Sequence, residues 1–239
     1  MTGQVRTSLR GHAAELFTIV AGVLIALAAD AVLDQRADRA RGHAYLTGLR
    51  EEFRASAGEL AFDQRNRTAI LDRIQRMLET GRSGGDVPAD SVPAWTVALI
   101  DYFFFSPPTA VLDDLFDSGS FGLIRSDSLR LDIQRYGQER ARLAVVEQRE
   151  RDFVADQLEP LVARSLRMGD VLPLASYDHR PKLPPADPRA FVAMLHDDTL
   201  ASLAFMRWER TETVRRFASG LGHAIQRVLD RLDTELGGG

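Results

Sequence analysis

The most chemically capable residues of this 239-residue chain are a histidine and two aspartates in a row, His196-Asp197-Asp198. An imidazole beside two carboxylates is a combination that serves cation sites and general acid–base catalysis. A phosphohydrolase site of this kind needs further histidines on neighbouring helices, but the five histidines of the chain are far apart in sequence. Because aspartate also favours helix N-termini, we expect Asp197 or Asp198 to cap a helix.

Other signatures of catalysis or cofactor binding are incomplete. No glutamate precedes a histidine by three residues, and no His-Glu-x-x-His sequence occurs, so the di-iron and zinc motifs of helices are missing. Gly84-Gly85 lacks the lysine and hydroxyl residue of a phosphate-binding loop. Ser118-Gly119-Ser120 lacks the preceding strand that a nucleophile turn requires. We therefore expect no catalytic residue, no metal site and no cofactor.

The densest aromatic run is Tyr102-Phe103-Phe104-Phe105, at the end of the apolar stretch 93–105, which predicts a short helix. Four consecutive aromatic residues on a helix point in every direction, so at least one of them would lie outside a simple buried stripe. Core packing is the first interpretation. The alternative is that the four residues form a contact patch for another protein or for a membrane surface.

The elements that would position such residues begin with an apolar segment at 13–33, which carries no charge between Leu16 and Ala29. About twenty apolar residues are enough for a helix to cross a bilayer. We therefore predict a short tail at 1–12 and a transmembrane helix at 13–34. Two alternatives stay open: a cleaved secretory signal with the cleavage pattern Ala26-Leu27-Ala28, and a helix buried in a protein core.

This apolar segment has two different faces. Glu15, Gly22, Ala26 and Ala29 fall close to one line along a helix, and Asp30 lies slightly off that line. Gly22 and Ala26 are small residues four positions apart, a spacing that lets two helix backbones approach closely within lipid. We expect this face to contact another transmembrane helix. In the alternative interpretation, the two acids simply reach the water at the headgroups.

Composition limits the classes of partner. The chain has a net charge of −4 and 27% charged residues, so it lacks the basic surface that nucleic acids require, and we expect no nucleic-acid partner. It contains no cysteine, which excludes disulfides, thiolate nucleophiles and sulfur-ligated metals. Arginines are more numerous after the apolar segment than before it, which favours a cytoplasmic location of the following domain. A basic tail before a single anchor also suits export of the following domain, so both orientations stay open.

Residues 35–236 have the pattern of a helical extramembrane domain. Apolar residues recur three and four positions apart along a seam that runs to about Glu79, with Asp63 and Arg67 as polar members that weaken its middle. Gly84, Gly85 and Pro88 predict the end of this first long helix. The seam consists of Leu46, Leu49, Phe53, Ser56, Leu60, Asp63, Arg67, Ile70, Ile74 and Met77.

Two further long helices are predicted, so that the fold is all-α, with a long helix leaving the membrane and a helical bundle. Ser126 is a candidate cap of the second helix, Pro160 a candidate kink, and Asp187-Pro188 a start signal for a short helix. Residues 237–239 predict a disordered tail. The two seams are Leu129, Ile133, Tyr136, Leu143, Val146, Phe153 and Leu158, and then Leu200, Ala204, Thr211, Val214, Ala218, Leu221, Ile225, Val228 and Leu232.

Several of these features together resemble an uncharacterised family of bacterial single-pass membrane proteins, catalogued as a domain of unknown function. The resemblance covers most of residues 1–140, whereas the usual polar and aromatic membrane exit is replaced by Ala29-Asp30-Ala31-Val32-Leu33. It implies a bacterial inner-membrane protein with an N-terminal anchor and supplies no catalytic residues. The matching positions are Glu15-Leu16, Gly22-Val23-Leu24-Ile25-Ala26-Leu27, Tyr45-Leu46, Leu49, Phe53, Pro108-Thr109, Leu112, Leu115, Ser118-Gly119, Leu123-Ile124 and Leu129.

The sequence as a whole favours a non-enzymatic accessory subunit. It would dock onto a larger bacterial membrane assembly (respiratory, photosynthetic, secretory or transport machinery) and stabilise it. Its partners would be other membrane protein subunits and the lipid bilayer, with a homo-oligomer as a further option. Two alternatives stay open: a helical sensor that binds a small ligand and signals through a partner, and an enzyme whose site follows no recognised motif.

Overall fold

The computed structural model describes the backbone of residues 5–84, 86–88, 91–166 and 188–237, and their side chains except those of 5–18 and 188–190. All regular structure in this part of the chain is helical, which confirms the prediction of an all-α fold. A 3-10 turn (Ser120–Leu123) precedes α4, and a π-helical turn (Val154–Leu158) follows it. The α-helices are α1 (Val5–Ser83), α2 (Ser91–Ile100), α3 (Ala110–Asp117), α4 (Asp127–Phe153), α5 (Glu159–Ser165), α6 (Pro188–Leu195) and α7 (Asp198–Gly237).

Helix α1 is continuous from Val5 to Ser83, which corresponds to a length of about 120 Å at 1.5 Å per residue. Its residues 19–41 are exposed or half-exposed, and the first buried position is Gly42. We call residues 19–41 the arm. The helix ends where Gly84 adopts a left-handed φ of 64°, a conformation that glycine reaches without steric cost, so its predicted end is confirmed within a few residues.

The transmembrane helix predicted at 13–34 is not found as such. Within the residues that the structure describes, no helix is long and apolar enough to cross a membrane. Asp30, Asp34 and Arg36 follow closely on the apolar residues of the arm, and the side chains of 13–18, including Glu15, lie outside the described residues. The helix already begins at Val5, within the predicted tail at 1–12.

Helices α1, α4 and α7 form the predicted bundle. Helices α1 and α7 are antiparallel, since Gln64 bonds Ser219, whereas Arg54, which precedes Gln64, reaches Asp233. All members of the three predicted seams are buried or half-buried, so the apolar periodicity identified the packed faces correctly.

The buried apolar side chains form two cores along the bundle. The first core, nearer the arm, is built around Leu49, Phe53, Tyr136, Leu221 and other residues of α1, α3, α4 and α7. The second core, farther from the arm, also contains residues of α2, the π-helical turn, α5 and α6. Its members include Ile70, Ile74, Met77, Trp95, Leu99, Phe153, Val154, Val162, Phe191, Leu200 and Ala204.

The short helix predicted at 93–105 ends early, at Ile100. Residues 101–109, which we call the connecting segment, are not helical, and exposure alternates along them: Phe105 and Pro107 are buried, whereas Phe104 and Ser106 are exposed. This period of two is typical of extended backbone. A proline disfavours the helical conformation of the preceding residue and clashes with the carbonyl four residues before it, so Pro107-Pro108 keeps the second half of the connecting segment from being helical.

The other start and stop signals have mixed outcomes. The Ser126 hydroxyl accepts a hydrogen bond from the Leu129 N–H (3.4 Å) and caps α4 as predicted, and α6 begins at Pro188. The kink expected at Pro160 takes the form of the π-helical turn immediately before it, a common way to accommodate a proline within a helix. Helix α7 extends to Gly237, the first residue of the predicted tail.

Candidate functional site

Six polar side chains lie buried between the two cores, and we call them the ion-pair cluster. Arg67 and Arg207 are 1% and 0% exposed, and Glu150, Glu147 and Asp63 are at most 4% exposed. Charged side chains are rarely this deeply buried unless they are paired. The members are Asp63 and Arg67 on α1, Glu147 and Glu150 on α4, and Arg207 and Thr211 on α7.

Arg67 uses its whole guanidinium group. Its Nε donates to Asp63 Oδ2 (2.8 Å), and its Nη1 donates to Glu150 Oε2 (2.6 Å). Its Nη2 donates both to Glu147 Oε1 (3.0 Å) and to the Phe103 carbonyl (2.6 Å). A guanidinium presents five N–H donors in a planar fork, and here each of its three nitrogens donates at least one hydrogen bond.

Arg207 completes the cluster from α7. Its Nη1 donates to Glu150 Oε1 and to the Thr211 hydroxyl, and its Nη2 donates to the Asp101 carbonyl. The Thr211 hydroxyl in turn donates to Glu150 Oε1 (2.8 Å). Glu150 therefore joins the two arginines, one through each carboxylate oxygen, and links α1 to α7 through α4.

The cluster holds the backbone of the connecting segment. Arg207 and Arg67 bind the carbonyls of Asp101 and Phe103, and Glu147 Oε1 accepts from the Phe105 N–H (3.2 Å). Buried backbone groups outside regular structure need such partners, because an unsatisfied donor or acceptor costs about 1–3 kcal/mol. The ion-pair cluster thus replaces the hydrogen bonds that a helix would have provided to this segment.

The pKa shifts of the three carboxyl groups in the cluster differ in direction. Burial raises the pKa of Glu147 to about 7 against the opposing effect of Arg67, and burial likewise raises the pKa of Asp63. Burial also acts to raise the pKa of Glu150, but Arg207 and Arg67 outweigh it and hold that pKa below its ordinary value. Glu150 is therefore the firmly ionised carboxylate of the cluster.

The ion-pair cluster joins α1, α4, α7 and the connecting segment, and we call this structural role a clasp. Its charged groups bond one another and backbone carbonyls, and they lie between two packed cores. In the described part of the chain, no group of three or more histidine, cysteine, aspartate or glutamate residues has an arrangement that could hold a metal ion.

The sequence-predicted contact face on the arm remains open to solvent. Gly22, Ala26, Ala29 and Asp30 are exposed, and a Cβ atom built on Gly22 would meet no atom within 4 Å. The side chain of Glu15, the fifth predicted member, lies outside the described residues. Contact of this face with another helix stays a prediction.

The four aromatic residues predicted as a contact patch do not share one surface. Phe105 packs in the first core, and Tyr102 and Phe103 pack against the second, because the extended connecting segment directs them to different sides. Only Phe104 is well exposed, at 43%, with Arg151 over its ring at 5.9 Å. A contact role is therefore available mainly to Phe104.

His196-Asp197-Asp198 lies at the junction of α6 and α7. The Asp197 carboxylate accepts from the Thr199 N–H (2.7 Å), so it caps α7 as expected. His196 lines an open cleft of about 560 Å³ between this junction and the end of α1, together with Met77, Arg82 and Phe205.

Sequence reasoning missed Glu147, Glu150 and Arg207. Asp63 and Arg67 were recognised as seam members but were interpreted as a weakness, which the structure corrects: they are buried because they pair with charges on α4 and α7. A signal was present, since charged residues occupy seam positions on all three long helices.

Comparisons with protein-family models, with curated proteins and with solved structures gave no match for this chain.

Proposed function

We propose that this chain is a membrane-anchored, non-enzymatic accessory subunit, in which the arm enters a lipid bilayer and the bundle supports a larger membrane protein assembly. The observation that carries the proposal is the apolar surface of the arm. Eight large apolar side chains of the arm are each at least 47% exposed: Ile19, Val20, Val23, Leu24, Ile25, Leu27, Val32 and Leu33.

These side chains are distributed around the whole circumference of the helix. At 100° per residue they point to all sides of the helix, so the arm has no polar face along most of this stretch. A helix that is apolar all round is covered either by protein or by lipid. Together with Leu16 and Phe17 of the sequence, which precede the described side chains, these residues supply an apolar length that suits a bilayer.

The base of the arm is packed tightly against the bundle. A Cβ atom on Gly42 would lie 3.2 Å from the Leu123 carbonyl oxygen, and one on Gly48 would lie 3.1 Å from Val111 Cγ1. A continuous helix anchored in this way transmits position and orientation to the bundle, which suits a support or spacer. The deeply buried clasp between the two cores supports a structural rather than a catalytic role.

Membrane extraction tests the anchor. Leu24→Arg places a charge in the middle of the arm, where it costs about 2.5–3.5 kcal/mol in a bilayer. The matched control is Val145→Arg, because Val145 is a similarly exposed apolar residue of the bundle. Wild type and control should remain in membranes after an alkaline wash, and Leu24→Arg should be released. Equal behaviour of both variants would contradict the anchor.

Assembly with a partner is tested separately by native electrophoresis in mild detergent. The accessory-subunit proposal predicts that the chain migrates in a stoichiometric complex and that Gly22→Leu, which removes a close-approach site on the arm, dissociates it. Leu27→Ala, a change elsewhere on the arm, should leave it intact. Migration of the wild-type chain alone would count against the accessory role while leaving the anchor standing.

A ligand-binding module is the second candidate, and one observation favours it. The cleft of about 560 Å³ at the end of α1 falls within the size range of small-molecule sites and offers His196 and Arg82 beside apolar walls. A small molecule that copurifies with the wild-type chain and is lost from a Gly81→Trp variant would support this candidate.

A further inference from the structure

The carboxyl groups of Asp63 and Glu147 both bind the guanidinium of Arg67. Nε donates to Asp63 Oδ2, and Nη2 donates to Glu147 Oε1 and to the Phe103 carbonyl. Both carboxyls are buried, where like charges repel strongly, and the charge of Asp63 acts to raise the pKa of Glu147.

The charges of the cluster do not balance when every group is ionised. Three carboxylates, Asp63, Glu147 and Glu150, face the two guanidiniums of Arg67 and Arg207, which leaves one negative charge without a counterion. The Asp101 carboxyl, on the connecting segment, interacts with Arg207 and also with Arg73, so it does not change this balance. An uncompensated charge in a buried site is costly, and a bound proton removes that cost.

An independent observation shows where a donor is missing. Asp63 Oδ1 is fully buried and has no hydrogen-bond partner among the described residues. Asp63 itself is only 4% exposed, so a partner from bulk solvent is not at hand. A carboxylate oxygen in this situation needs a hydrogen donor, and a proton held between two carboxyl groups is such a donor.

We propose that Asp63 and Glu147 share one exchangeable proton, which makes the ion-pair cluster a proton-binding site whose occupancy controls the stability of the folded chain. With the proton bound, two positive charges face two negative charges. Its loss leaves one surplus negative charge in the buried cluster, which destabilises the folded state. The pair titrates as a unit, and the raised pKa values of both carboxyls agree with one proton retained toward neutral pH.

The groups that face Glu147 come from every neighbouring element. Asp63 and Arg67 on α1 and Glu150 on α4 act on Glu147, and the Phe105 N–H of the connecting segment bonds it. Arg207 on α7 acts on Glu150 and on Asp101 of the connecting segment. Among the carboxyls of the cluster that the structure describes, Asp63 has the unsatisfied buried oxygen, and it binds the same guanidinium as Glu147. This inference does not depend on the membrane anchor, so either can fail alone.

Equilibrium unfolding of the full-length chain between pH 5.5 and 7 tests the shared proton. A folded state that holds one proton more than the unfolded state has an unfolding constant that rises about tenfold per pH unit. We expect this slope in the wild type and in the surface control Glu51→Gln, whose side chain is 64% exposed. In Glu147→Gln and in Asp63→Asn, the tenfold rise of the unfolding constant per pH unit should disappear, because each variant removes one of the paired acids.

Equal slopes in the wild type and in Glu147→Gln would overturn the proposal. If both variants fail to fold, carboxyl-carbon NMR of the wild type decides: the proposal predicts that the Asp63 and Glu147 signals move together over one protonation step near neutral pH. Two carboxyls that stay fully ionised down to pH 5.5 would overturn it.

Discussion

Arg67 and Glu150 are 83 positions apart in sequence, and their side chains are joined by a hydrogen-bonded ion pair of 2.6 Å in the interior of the bundle. Each is 1% exposed. Glu150 also binds Arg207, so this one carboxylate connects the three long helices. The arrangement explains how a bundle with charged residues in its middle can still be well packed on both sides of them.

Removal of Arg67 should therefore be strongly destabilising. Arg67→Met keeps most of the side-chain volume but leaves Asp63, Glu147 and Glu150 with one guanidinium, and breaking a buried pair in this way costs about 3–5 kcal/mol. Arg54→Met, at an exposed ion pair with Glu51, should change the free energy of unfolding by less than about 1 kcal/mol. Denaturant titration measures both. A loss below about 1 kcal/mol for Arg67→Met would contradict the role of the cluster as a clasp.

Glu150→Gln should have an effect that depends on pH. The folded-state pKa of Glu150 lies below its ordinary value of 4.5, so its ionised form contributes stability that is present above pH 4.5 and is lost as the pH falls through the lowered pKa. The variant should be less stable than the wild type at pH 7, and the difference should shrink below about pH 4.5. Thermal unfolding at several pH values measures this difference, and a constant gap would contradict the assigned direction.

Variants of Phe104 and Phe105 should distinguish a role in core packing from a role in surface contact. Phe105→Ser removes a ring of the first core and should cost about 3 kcal/mol of stability. Phe104→Ser, at a side chain that is 43% exposed, should cost less than about 1 kcal/mol. If Phe104 contacts a partner, its variant should weaken the native complex while the isolated chain unfolds as before. Equal unfolding free energies of the two variants would contradict the extended geometry of the connecting segment.

The packed faces of the bundle could be predicted from the sequence, because apolar periodicity depends only on helix geometry. The seam of α7, from Leu200 to Leu232, is buried throughout. The same periodicity carried the signal of the cluster: Leu143, Glu147, Glu150 and Phe153 are spaced as one helix face, and Arg207 lies between Ala204 and Thr211.

The partners within the cluster could not be predicted from the sequence in this way. Which carboxylate meets which guanidinium depends on the relative register of α1, α4 and α7, and no local pattern encodes that register. The connecting segment shows a second kind of failure. Its apolar composition predicted a helix through Phe105, but Pro107-Pro108 and the backbone contacts of Arg67 and Arg207 favour an extended chain.

The anchor is tested most directly by the accessibility of single thiols. Because the chain contains no cysteine, Leu24→Cys and Val145→Cys each carry one reactive group. The native side chains are exposed to similar extents, 60% and 51%, so a difference in labelling reports what covers them in the cell. In native membranes broken open to expose both faces, a water-soluble maleimide should label Val145→Cys at once and Leu24→Cys only after detergent is added. Equal labelling of both thiols before detergent would contradict the proposal that the apolar part of the arm lies in the membrane.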